Sequence, residues 1–152
     1  MYLHNAIFLP LAFIAFINGI LGWFCGLVGY PGITIQYLLG LVFIPLAWLM
    51  GVESGDLLLV GELLGLKSFV NEFVAYNRLS ELSGQISLRS KTIATYALCG
   101  FANPASIGIQ IASFTTLAPT RRADFSRYAI RAYVAGSMAC FMTACIAGAL
   151  IG

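Results

Sequence analysis

Apolar residues run through this chain in long blocks that only a few charges interrupt. Met1 to Val52 contains no Asp, Glu, Lys or Arg, and neither does Ala132 to Gly152. A bilayer core of about 30 Å needs about 20 residues of helix to cross it. Four stretches offer that much apolar chain, at about residues 5–25, 33–51, 88–118 and 125–151. Trp23, near the end of the first, suits an interfacial anchor. Gly26, Gly29, Pro31 and Gly32 then break the chain before the second span, which carries Pro45 as membrane helices often do. The fourth is rich in small residues (Ala135, Gly136, Ser137, Ala139, Ala144, Ala147, Gly148), which predicts a helix packed against other helices and not against lipid.

Between the second and third spans lies a segment of another kind, about residues 56–80. It is apolar overall, but Glu62, Lys67 and Glu72 punctuate it, and Gly61 and Gly65 loosen it. One reading is a single poor transmembrane helix. The other is a re-entrant hairpin of two half-length helices with its tip near Ser68 to Glu72, which is tolerated at that depth only against protein or a wet cavity. Either way Glu72 is costly. An ionisable group at membrane depth calls for a partner or a water-filled cavity, and so marks a functional site.

The third span carries its own interruption, Cys99-Gly100-Phe101-Ala102-Asn103-Pro104-Ala105-Ser106-Ile107-Gly108. Pro104 removes a backbone donor and crowds the turn before it, and Gly100 and Gly108 weaken the helix on either side. Asn103 and Ser106, three apart, share a face on any helical turn. Two readings fit. One is a helix unwound at mid-membrane to aim an amide and a hydroxyl at a substrate; the other is an ordinary proline kink with Ser106 bonded back to its own helix.

Composition agrees with the pattern: 60% of residues are hydrophobic and 9% charged, with mean hydropathy +0.91, against about 25% charged in soluble domains. The chain reads as an all-α integral membrane protein. Its net charge of +2 offers no basic face for nucleic acid. The N-terminus lacks the basic region and cleavage site of a secretory signal. Cys25, Cys99, Cys140 and Cys145 form no C-x-x-C pair and read as small buried hydrophobes. His4 has no companion for a metal. No nucleophile–base pair or phosphate-cradling loop accompanies Glu72, so the chain is not expected to be an enzyme.

Arg121, Arg122, Arg127 and Arg131 make the densest basic stretch and place the loop between the last two spans in the cytoplasm. Counting back through a hairpin puts both termini outside; counting back through a full fifth span puts the N-terminus in the cytoplasm. Under the hairpin count, Arg78, Arg89 and Lys91 lie on the other side, partly offset by Glu81. Glu62 and Lys67 are expected to form an ion pair, and Asn18 and Gln36 to make interhelical hydrogen bonds.

Two motifs together resemble one family. Gly65-Leu66-Lys67 followed by Asn71-Glu72-Phe73-Val74-Ala75-Tyr76 resembles the second re-entrant hairpin of the concentrative nucleoside transporters. Ala97-Leu98-Cys99-Gly100-Phe101-Ala102-Asn103, then Ser106-Ile107, resembles the broken helix that follows it. Pro45 to Val52 upstream, and Leu117 to Asp124 and Ala144 to Gly148 downstream, also fit, so the likeness runs over essentially the whole chain.

The resemblance implies four transmembrane helices plus one re-entrant helical hairpin at 56–80, with the third transmembrane helix discontinuous. It implies a sodium- or proton-driven symporter that imports nucleosides across the plasma (inner) membrane by an elevator-like movement, as a homotrimer. It implies that Glu72, Asn103 and Ser106 hold the ribose hydroxyls, with Phe101 near the ligand. The chemistry suits: a carboxylate accepts from two adjacent hydroxyls, while an amide and a hydroxyl both donate and accept. Pro104-Ala105 departs from the bulkier residue plus Ser usual in the family at this place. The larger departure is length. The family's transport unit is a pair of inverted repeats, and the chain resembles the end of the first and all of the second. The first hairpin and its following helix, where the family holds the nucleobase and coupling cation, have no counterpart here. The expectation is therefore a ribose-binding C-terminal part of a transporter; the alternative is a non-transporting remnant that associates with intact subunits.

Overall fold

Polar residues at the head of four helices fix where those helices begin. Thr34 accepts from the Tyr37 N–H at 3.2 Å, Asn71 from Val74 N–H at 2.9 Å, Ser87 from Ser90 N–H at 3.2 Å and Asn103 from Ser106 N–H at 2.9 Å. Each satisfies a peptide donor that the first helical turn leaves without an intrahelical partner. The computed structural model describes residues 2–27, 29 and 34–151, and the side chains of 12–27, 29, 34–104 and 106–151. Pro31, Gly32 and the side chain of His4 fall outside these. The elements are α1 (Tyr2–Leu27), α2 (Ile35–Leu49), α3 (Leu57–Phe69), α4 (Glu72–Leu82), α5 (Leu88–Leu98), α6 (Pro104–Leu117) and α7 (Arg122–Ile151), with a 3-10 turn at Pro119–Arg121.

Length separates these helices into two kinds. At 1.5 Å per residue, α7 with 30 residues measures about 45 Å and clears a bilayer core. The stretch Pro119–Ile151 is the one helical run among the described residues that is both long and apolar enough to cross a membrane; Ile35–Leu49 and Ser106–Leu117 are shorter apolar helices. The 13 residues of α3 and 11 of α4 measure only about 20 and 17 Å. The segment at 56–80 is thus two half-length helices broken at Val70–Asn71, not one continuous helix. The segment at 88–118 is likewise broken, between α5 and α6.

The centre of the fold is α3. Val60, Leu63 and Leu64 are fully buried, and α2, α4 and α5 pack around this helix. From α5 come Ile93, Ala94, Ala97 and Leu98, from α4 Ala75, and from α2 Ala47. Gly61 and Gly65, expected to loosen the segment, instead let α3 close onto α2. A Cβ on Gly61 would lie 2.5 Å from Gly40 O, and one on Gly65 would lie 2.5 Å from Leu39 Cβ. Backbones approach this closely only through small residues, the usual seam between membrane helices.

The small residues of α7 divide. Ala144, Ala147 and Gly148 are buried, Gly148 against Ile93 of α5, whereas Ala135 and Ala139 are exposed. Only the C-terminal half of α7 packs in the way expected of the whole span. Asn18 and Gln36 meet as anticipated: Asn18 Nδ2 donates to Gln36 Oε1 at 2.9 Å, and Ile35 N–H donates to Asn18 Oδ1 at 2.8 Å.

At the end remote from the helix break, Asp56 joins the α2–α3 connection to the start of α5. Burial pushes its carboxyl up, but the Ser87 N–H and the Ser90 and Ser87 side chains hold it below its ordinary value. A carboxyl with a depressed folded-state pKa adds stability above its unfolded value of about 3.9 and loses it as pH falls through the folded value. Thermal unfolding of the purified protein in detergent is expected to shift downward below about pH 4, and Asp56→Asn to flatten that slope by roughly 1 kcal/mol. In the same assay Gly61→Ala is expected to cost about 1–3 kcal/mol by overpacking against Gly40. Gly84→Ala, with nothing within 4 Å of the added carbon, should leave the midpoint in place.

Candidate functional site

Two helix N-termini meet where the chain breaks twice. Asn71, extended at φ −168°, caps α4, so Glu72 is the first residue of that helix. Asn103, extended at φ −148°, caps α6, with Pro104 at its first turn. Pro104 therefore does not kink a running helix. It opens a new one, at the position where the missing N–H would have had no partner anyway. Gly100 makes the approach possible: its φ of +131° is disfavoured for residues with a Cβ, and a Cβ there would lie 2.6 Å from Cys140 Sγ.

Across the gap Asn103 Nδ2 donates to Glu72 Oε2 at 2.6 Å. Glu72 is 7% exposed and Asn103 2%. The amide is held in one orientation, because its Oδ1 accepts from Ser106 N–H at 2.9 Å while its Nδ2 faces the carboxylate. The first turn of α4 adds the positive end of its dipole next to the Glu72 carboxylate. Glu72 and Asn103 thus meet as the sequence suggested. Ser106 joins them through its peptide N–H, with its side chain half-buried in the first turn of α6.

Phe101 stands apart from that hydrogen bond and is 66% exposed. It lines a cavity of about 480 Å³ between α6 and α7, together with Asn103, Gln110, Tyr128 and Tyr133. Asn103 is the residue common to the cavity and the buried pair. The lining joins aromatic faces to a few polar groups, the usual make-up of a small-molecule site.

Three further residues hold the break, and local spacing pointed to none of their partners. Lys67 Nζ donates to Ala97 O at 2.6 Å. The expected pair with Glu62 does not form: Glu62 instead lies 4.0 Å from Arg78, which also bonds Glu81 at 2.8 Å. Glu62 and Lys67 are five apart on one helix, a spacing that puts them on different faces. Tyr76 Oη donates to Thr95 O at 2.8 Å, and Tyr133 Oη to Ser68 O at 3.1 Å. The available signal was chemical: a phenol inside an apolar helix needs an acceptor.

Comparison with known proteins identifies the family of the chain. Residues 4–148 match the family described as "Na+ dependent nucleoside transporter C-terminus". The mouse protein "Solute carrier family 28 member 3" is 44% identical over 155 residues, covering 92% of this chain and 22% of that protein. Rat "Sodium/nucleoside cotransporter 1" is 43% identical and "Uncharacterized transporter YutK" of Bacillus subtilis 44%, each over 92% of this chain and over 24% and 35% of its own length. Among solved structures, CNTnw in an inward-facing substrate-bound state matches with TM-score 0.93 and 40% identity, over 97% of this chain and 37% of that one. An outward-facing state of a CNTnw variant matches with TM-score 0.95 and 39% identity, over 99% of this chain and 38% of that one. The chain therefore spans less than two fifths of each of these proteins, and these relatives are transporters, not enzymes. The chain belongs to the nucleoside transporter family, in the part described as its C-terminus.

Proposed function

We propose that this chain supplies the ribose-binding part of the nucleoside site in a cation-coupled symporter of a multi-pass inner or plasma membrane protein, assembled as a homotrimer. The observation that carries the reading is the buried hydrogen bond from Asn103 Nδ2 to Glu72 Oε2. It fixes an amide and a carboxylate side by side before any ligand arrives. Glu72 Oε1 and the remaining lone pairs can accept from two adjacent sugar hydroxyls, and the second Nδ2 proton of Asn103 can donate to one of them. Ser106, one turn into α6, adds a hydroxyl, and the Phe101 ring offers an apolar face beside them.

Helix lengths support the re-entrant hairpin. Neither α3 nor α4 is long enough to cross the bilayer core, and the two pack against each other, which suits a pair that enters and returns; α5 and α6 do not pack side by side, which suits two halves of one discontinuous crossing. On the family's pattern α1, α2 and α7 are the other three crossings, for four transmembrane helices and one hairpin; at 15 residues α2 measures only about 22 Å, so its place in that count comes from the resemblance and not from its length. The likeness to inward-facing and outward-facing structures alike, at TM-scores of 0.93 and 0.95, is what a unit gives when it keeps its internal arrangement as it moves. That supports an elevator-like movement. The nucleobase and coupling cation, sodium or proton, would be held by residues outside this chain.

The test is uptake of uridine and adenosine by the full-length transporter containing these residues, with and without Glu72→Gln. The amide keeps the size of the carboxylate but loses its charge. Two charge-assisted hydrogen bonds at about 1.5–3 kcal/mol each are weakened, so affinity is expected to fall about 100-fold or more. Unchanged uptake of both nucleosides would remove Glu72 from the ribose site.

A further inference from the structure

Lys67 is the largest side chain that the described fold buries fully, at 1% exposure. A buried ammonium is strongly disfavoured unless it is paired and hydrogen-bonded. Among the described residues no carboxylate comes within ion-pair distance of it. Its partners are Ala97 O at 2.6 Å and the Phe141 ring, whose centroid lies 5.4 Å away. Ala97 stands in the last turn of α5, where carbonyls lack intrahelical donors and the helix dipole is negative. Lys67 thus balances its charge against a helix end, with the face of an aromatic ring beside it.

Two other carbonyls of that turn are also occupied. Thr95 O accepts from Tyr76 Oη of α4, and Tyr96 O from the Cys99 N–H at 3.2 Å. One donor therefore comes from each leg of the α3–α4 pair. The same pair meets the other side of the break, where Glu72 accepts from Asn103. Both ends of the interrupted helix, the carbonyl end of α5 and the amide end of α6, are fastened to α3 and α4.

We propose that Lys67 is a positioning residue for the nucleoside site. By closing the carbonyl end of α5 it fixes where that half-helix stops, and hence where the extended segment 99–103 delivers Asn103 to Glu72. Tyr76 does the same from the second leg. The inference takes its ligand from the reading above, but the cap itself can be tested without any ligand.

Two measurements on the purified full-length transporter decide it: amide hydrogen exchange across residues 99–107 without nucleoside, and the uridine Kd of the folded fraction. In Lys67→Met, exchange at Ser106 N–H is expected to accelerate about tenfold or more, because Asn103 is no longer held in place, and uridine Kd to rise by about tenfold or more. Lys67→Arg, which restores a cationic donor, should return both to within about threefold of the parent. A lower melting temperature with unchanged exchange and unchanged Kd would reduce Lys67 to packing and overturn the proposal. Should Lys67→Met fail to fold, Tyr76→Phe decides, since it removes only the hydroxyl on Thr95 O. A severalfold rise in exchange at Ser106 and in Kd supports the cap, and no change in either overturns it. Glu72→Gln in parallel separates the two claims. If that variant binds uridine like the parent, the ribose reading fails while the exchange data still judge the cap. If it loses binding and Lys67→Met changes neither measurement, only the Lys67 proposal falls.

Discussion

A helix that stops inside an apolar fold leaves amides or carbonyls that water cannot reach, and this structure is organised around satisfying such ends. Four terminate near one point: the end of α3, the start of α4, the end of α5 and the start of α6. Each unmet backbone group at that depth would cost several kcal/mol. The two amide ends are capped by asparagines, Asn71 and Asn103, which do it within their own turns. The carbonyl ends are met from a distance, by Lys67 and Tyr76 on α5 and by Tyr133 on Ser68 O of α3. The polar side chains of the region are therefore committed first to the backbone. What the Glu72–Asn103 pair has left over is what a ligand can use.

That division explains which parts of the site were legible in the sequence. Asparagine caps act over three residues, so Asn71 and Asn103 leave local signatures, and a lone glutamate in an apolar run stands out without any partner. The carbonyl caps join residues 30, 19 and 65 positions apart. No periodicity records contacts over such separations, whereas Glu62 and Glu72, each five residues from Lys67, offer it charge partners in the sequence that the structure does not use. Pro104 shows the same limit in another form. The residue is identical whether it kinks a helix or opens one; what differs is the conformation of Asn103 before it. A cap-forming Asn directly ahead of a Pro was the cue for a helix start. The apolar residues on either side hide that start, because they suggest one continuous span.

The fold as a whole was more readable than its packing. Long uncharged blocks place α1, α2 and α7, and the two breaks fall where Gly, Pro and Asn concentrate. Glycine is the ambiguous letter. Gly100 is a conformational requirement, with φ at +131°. Gly61 and Gly65 are ordinary helical residues whose missing Cβ matters only because α2 lies against them. From the sequence both kinds look like weak points, yet the second kind forms the close seam between α2 and α3. A stripe of small residues reports close approach only after the partner helix is known, and α7 shows the converse, since Ala135 and Ala139 remain open while Gly148 is packed.

Rigidity of the cap network also bears on how a carboxylate can serve a neutral ligand. Glu72 held by nothing but water would lose its partner on closure of the site, and a sugar hydroxyl would have to compensate for all of it. Here Asn103 already occupies one carboxylate oxygen, and the α4 dipole adds a second favourable term without any movement. On the proposed ribose reading, a ligand would then need to replace only the water on the remaining lone pairs. Because Asn103 Oδ1 is tied to Ser106 N–H, the amide cannot rotate to follow a misplaced hydroxyl. Specificity for a vicinal pair of hydroxyls would follow from that stiffness, since a site that cannot adapt leaves its own polar groups unpaired when the ligand lacks one. The two breaks, costly as they are for the backbone, are what allow an amide and a carboxylate from distant parts of the chain to face each other in that fixed way.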